Sequence, residues 1–115
     1  MALRNPIAKG STQILATALL GPLPHRWRLS HKVDHPLEGE PIHYFMLTGN
    51  TSLPAIVHGY LMNHHSWTPF IWVDRQMTEY TLDLQSSESP DPHILFQALQ
   101  RYLERELDQT SPNRS

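Results

Sequence analysis

Eight histidines stand beside nine lysines and arginines in a chain of 115 residues that has no cysteine. Imidazole, with an ordinary pKa near 6.5, is the side chain best suited to act as base, proton carrier or metal ligand around neutral pH. His31 and His35 are four apart, the spacing that places two ligands on one helix face. Between them, however, Lys32-Val33-Asp34 reads as a strand running into Pro36, so the helical zinc logic fails there. His58, His64 and His65 would join His31 and Asp34 or Asp74 only if their strands lie side by side. That set would offer nitrogen and carboxylate ligands to zinc, iron or manganese. Separate core and surface histidines account for the same pattern, and no cofactor is expected.

The missing cysteine excludes disulfides, cysteine-ligated zinc, iron–sulfur clusters and thiol nucleophiles. A hydroxyl nucleophile would come from Ser11 or Thr12 at a helix start, with His43 or His58 and then Asp74 or Asp83. That order resembles the papain-like and transglutaminase-like folds. Val57-His58-Gly59-Tyr60, the run Phe70 to Asp74, and Thr81-Leu82-Asp83-Leu84 are similar to later strands of the transglutaminase-like group. Those families place a cysteine where this chain has Ser11, Thr12 or Gln13. Their histidine ahead of the aromatic strand has no counterpart at Pro69 to Ile71. No catalytic residue is assigned.

Aromatic and cationic residues supply the other chemistry. Trp67, Phe70 and Trp72 fall within six residues, and Trp27, Tyr44 and Tyr60 lie in segments expected to share one sheet. Large rings left on an uncovered sheet face form the kind of patch that marks a partner surface, and Tyr, Trp and Arg are the types that dominate such contacts. Trp27, Tyr44, Tyr60, Trp67 and Trp72, with Arg26 and Arg28, are therefore the interface candidates. Arg26, Arg28 and Lys32 beside Tyr44, Tyr60 or Trp72 would also suit single-stranded nucleic acid. Against that reading, the formal net charge is -2, and neither an aromatic RNA-recognition consensus nor a Gly-rich phosphate loop is present. Residues 1–57 carry five Lys/Arg against three Asp/Glu, and residues 58–115 four against eight, a modest asymmetry.

The elements that must position these residues follow from periodicity. Ser11 to Leu20 reads as a helix capped by Ser11, with Ile14, Leu15, Ala18 and Leu19 on one face and Gly21-Pro22 at its end. Arg26 to Val33 alternates as a strand with Trp27, Leu29, His31 and Val33 inward. Asp34 to Pro41 is turn chemistry leading to a strand over Ile42 to Leu47, and Gly49-Asn50 offers a turn with positive φ. Pro54 to Met62 is expected as a third strand. Thr68 to Arg75, apolar on both faces, is expected in the middle of the sheet. After a turn at Gln76-Met77, Thr78 to Leu84 turns Tyr80, Leu82 and Leu84 inward. Asp91 and Pro92 then open an amphipathic helix from His93 to Asp108, with Ile94, Leu95, Ala98, Leu99, Tyr102, Leu103 and Leu107 as its stripe.

The expected fold is a single α+β domain over residues 10–108. It has an N-terminal helix, a five-stranded mainly antiparallel sheet and a C-terminal amphipathic helix, with the helices on one face. Residues 1–9 and 109–115 are expected to be flexible ends. The apolar stretch Ile14 to Leu20 falls far short of the roughly 20 residues a membrane span needs, and a cytoplasmic location is expected. The leading functional expectation is a small non-enzymatic protein-binding module: an adaptor, assembly factor or inhibitor, or a homodimer. A His/Asp metal-dependent or hydrolytic enzyme and a single-stranded nucleic-acid binder are the alternatives.

Overall fold

The computed structural model describes residues 10–63, 70–84 and 91–109. Strand β1 (Ser11–Leu20) is followed by β2 (Trp27–His35) and β3 (Ile42–Thr48), helix α1 (Ala55–Asn63), β4 (Phe70–Val73), β5 (Glu79–Asp83) and helix α2 (Pro92–Gln109). The five strands form one sheet in the order β1-β2-β3-β5-β4, and every neighbouring pair is antiparallel. Among the described residues no helix is long and apolar enough to cross a membrane.

Two elements exchange the types expected from periodicity. Ser11–Leu20 is a strand, not a helix. Its register against β2 slips between Ile14 and Ala16, where Leu15 is the extra residue of a β-bulge. The bulge interrupts the alternation of two: Gln13, Ala16, Ala18 and Leu20 fall on one face, and Ile14, Thr17 and Leu19 on the other. Such a broken alternation imitates helical spacing. Conversely, Ala55–Asn63 is a helix, not a strand. The Pro54 carbonyl accepts the amides of Val57 and His58, opening the first turn, and Val57 and Leu61, four apart, point into the core. Ile56 and Val57 are β-branched, which favours strand locally, but burial of one helical face decides the outcome.

β2 holds Trp27, Leu29, His31 and Val33 on the buried side, as their alternation predicts. Its register carries Phe45 and Leu47 of β3 and then Tyr80 and Leu82 of β5 onto the same face. Both helices cover that face: Val57 and Leu61 from α1 and Phe96, Leu99, Leu103 and Leu107 from α2 join the strand residues in one hydrophobic core. The buried stripe of α2 is centred on Phe96, which the expected stripe omitted, whereas Ile94 and Ala98 are exposed. Asp91 caps α2 as expected, its carboxylate accepting the His93 amide at 2.7 Å and its carbonyl the Leu95 amide at 3.0 Å. The rings of Tyr60 and Tyr102 stack with centroids 3.7 Å apart, tying α1 to α2.

Smaller corrections concern turns and edges. Gly49 does not take positive φ; that conformation belongs to Gly10, Gly21, Gly39 and Met77. Gly49 is required because a Cβ there would sit 2.5 Å from the Trp27 indole. β4 is an edge strand, not a central one, and Ile71 and Val73 pack against the core. The β4–β5 turn is held by Asp74, whose carboxylate accepts the amides of Thr78 and Glu79 and the Thr78 hydroxyl. Of the expected flexible ends, Gln109 closes α2, and residues 1–9 and 110–115 lie outside the described residues.

Candidate functional site

With both helices on one side, neither helix covers the opposite face of the sheet, called here the open face. Strand register sorts that face into rows. Leu19, Arg28, Thr48 and Glu79 form the first. Thr17, Ser30, Met46, Thr81 and Trp72 form the second, and Ile14, Lys32, Tyr44 and Asp83 the third. Ile14 is 60% exposed, Leu19 56% and Trp72 55%, so both outer strands carry exposed apolar side chains. Between Ile14 and Leu19 runs a shallow groove of about 370 Å³ floored by Thr17, Ser30 and Met46 and flanked by Arg28 and Lys32.

The charges on this face divide between two strands: Arg28, Lys32 and Asp34 lie on β2 and Glu79 and Asp83 on β5, with β3 between them. At one end Asp34 accepts hydrogen bonds from the Thr12 hydroxyl at 2.6 Å and the Tyr44 hydroxyl at 3.2 Å. Burial, and then the Asp34 charge, push the Tyr44 phenol above its ordinary value and raise the Asp83 carboxyl.

A second cluster lies under the sheet, on the helix side. The His31 ring is fully buried and its Nε2 is 2.8 Å from Nδ1 of His43, so one of the two nitrogens carries the shared proton. The His93 ring, on the first turn of α2, is 5.2 Å from that of His31, and Phe45 and Phe96 also pack against it, beside a cavity of about 200 Å³ lined by Ala16, Gln97 and Gln100. Burial, then the neighbouring His43 and His93, lower the His31 pKa from 6.5 to about 4, against an opposing pull from Asp91. His43 is lowered too, by burial and by His93, again opposed by Asp91, with a further lowering from His35.

This cluster is not the expected metal set. His31 and His43 aim nitrogens at each other instead of at a common point, and among the described residues no group of three His, Asp or Glu is placed to hold a metal. His58 lies on α1, where its Nδ1 is 2.6 Å from the hydroxyl of the buried Tyr80 and satisfies it. Asp74 is engaged in the β4–β5 turn; desolvation opposes, but hydrogen bonds from Glu79 and Thr78 hold its carboxyl below the usual range. His64 and His65 lie outside the described residues. The hydroxyl-nucleophile order dissolves likewise, because Ser11 and Thr12 sit on an edge strand and not at a helix start.

Of the interface candidates, Tyr44, Trp72 and Arg28 share the open face. Trp27 does not: it is 2% exposed, in the core against Gly49 and Tyr80. Tyr60 is on a helix, stacked on Tyr102. Arg26 precedes β2 and borders a neighbouring groove with Leu19, Leu23 and Arg28, and Trp67 lies outside the described residues. Sequence reasoning missed Ile14, Leu19 and Met46, because reading β1 as a helix removed its outward residues from the sheet. It also missed the meeting of His31 with His43 and His93. The first contact was readable from the hairpin register, since β2 and β3 both turn histidines inward, but the second depends on where α2 lands. Compared with family models, curated proteins and solved structures, the chain matches none, so the site is defined by this geometry alone.

Proposed function

We propose that this protein is a non-enzymatic protein-binding module acting through the open face of its sheet. The observation that carries the reading is the exposure of Ile14, Leu19 and Trp72 on the sheet side that neither helix covers. Exposed large apolar groups on the two outer strands, beside a groove that Arg28 and Lys32 flank, make the kind of patch that marks a contact surface. The same face suits nucleic acid poorly, since Glu79, Asp83 and Asp34 would repel phosphates drawn to Arg28 and Lys32. The enzymatic alternative called on His31, His58, His64, His65 and Asp74; His64 and His65 lie outside the described residues, and the other three each have a structural partner of their own.

A photo-cross-linking amino acid at Thr17, on the groove floor, tests the reading against the same probe at Arg101, on the exposed side of α2. In cells expressing the protein, the position-17 probe should form discrete protein adducts and the position-101 probe should not. Equal yields at the two positions, or none at 17, would overturn it.

A further inference from the structure

We infer that the occupant of the open face is a second copy of this chain, packed sheet against sheet about a two-fold axis parallel to the strands and passing over β3. The inference rests on the reading of that face as a protein-binding surface, and it names the partner.

The argument is one of register. Rotation about such an axis exchanges left and right across the sheet while leaving each row at its own height. β2 of one copy then lies over β5 of the other, so Arg28 faces the partner's Glu79 within the first row. Lys32 likewise faces the partner's Asp83 within the third. Both like-charge alternatives are avoided, and each pair occurs twice by symmetry. An axis running across the strands would instead set β2 over β2, with Arg28 against the partner's Lys32 or, half a row further along, with Arg28 against the partner's Asp34 as the one kind of opposite pair. The axis parallel to the strands forms two kinds of opposite pair and is the arrangement that charge favours.

Apolar complementarity follows from the same rotation. β4 falls over β1, and Trp72, in the middle row, falls between the heights of Ile14 and Leu19. That is where the groove floored by Thr17, Ser30 and Met46 lies. The half-exposed indole of each copy thus meets the cavity of the other, while Met46 packs near its own symmetry mate. Face-to-face sheets pack about 10 Å apart with strands within about 30° of alignment, which this axis allows. With β1 over β4, β2 over β5 and β3 over itself, the shorter strand of each pair limits the overlap to roughly 400 Å² at about 4.8 Å between strands and about 3.3 Å per residue. That is about half of what each partner gives to a standard interface, as in weak, reversible association. Edge pairing through β1 is disfavoured by the bulge at Leu15, a device that turns an edge away from further strands.

Charge-reversal complementation tests the axis. Arg28→Glu and Glu79→Arg should each weaken self-association, measured by sedimentation velocity of the full chain, by at least about tenfold, since each puts like charges face to face twice. An equimolar mixture of the two variants should recover a heterodimer within about threefold of the wild-type affinity, because every facing pair is again opposite in sign. Lys32→Glu and Asp83→Lys repeat the test in the third row should either first variant fold poorly. Wild-type chain that stays monomeric up to about 200 µM, or reversals that leave a dimer intact, would overturn the inference. In the first case adducts from the position-17 probe to another protein would leave the module reading standing. In the second, a silent position-17 probe would remove both.

Discussion

Lowering the pH from 7.5 to 5 should destabilise the fold through His31. His31 is fully buried, with its Nε2 against His43, and its folded pKa is about 4 where the unfolded chain has 6.5. As pH falls through 6.5 the unfolded state takes up a proton that the folded state refuses until about pH 4. Stability is therefore full above neutrality and declines between these two values. The full difference corresponds to about 3 kcal/mol, of which about 2 kcal/mol is lost by pH 5. His43, shifted in the same direction, adds to the loss. Urea unfolding followed by circular dichroism at pH 7.5 and pH 5 measures the change, and His31→Gln is the control. Glutamine keeps a polar partner for His43 but cannot titrate, so the variant should start less stable and lose about 2 kcal/mol less between the two pH values. Equal losses in wild type and variant, within about 0.5 kcal/mol, would refute the assignment of acid sensitivity to this cluster.

Two further substitutions test contacts inside the core. Gly49→Ala places a methyl 2.5 Å from Cδ2 and Cε2 of Trp27, and should cost about 1–3 kcal/mol in urea unfolding, since an overpacked ring must move; an unchanged midpoint would mean the turn yields freely. His58→Leu removes the partner of the buried Tyr80 hydroxyl, 2.6 Å away, at a cost of about 1–3 kcal/mol. In a Tyr80→Phe background the same substitution should cost less than about 1 kcal/mol, and a double-mutant cycle without coupling would show that the pair contributes nothing.

How much of this could be read from the residues is decided by what each segment meets. β2, β3, β5 and α2 were legible because each buries one face against a continuous core, and burial of one face writes itself as alternation or as a helical stripe. β1 and Ala55–Asn63 were not, for opposite reasons. The bulge at Leu15 gives a strand the spacing of a helix, and Ile56-Val57 gives a short helix the composition of a strand. Because the two misreadings compensate, the five-stranded count and the one-sided helices survive while the strand identities change, and it is the identities that position the site. Once β1 replaces the third expected strand, Tyr60 leaves the sheet and Ile14 and Leu19 enter it. The groove then lies beside Arg28 and Lys32, with Trp72 on the far edge. The histidine excess resolves in the same way. His31, His43 and His93 meet only because hairpin register and the landing of α2 converge. His58 is explained by one buried hydroxyl, Tyr80, two strands away from His31. Residue type alone suggested catalysis and metal; placement assigns these imidazoles to the helix side, beneath the sheet, while the opposite face carries Ile14, Leu19 and Trp72 with charged groups on β2 and β5.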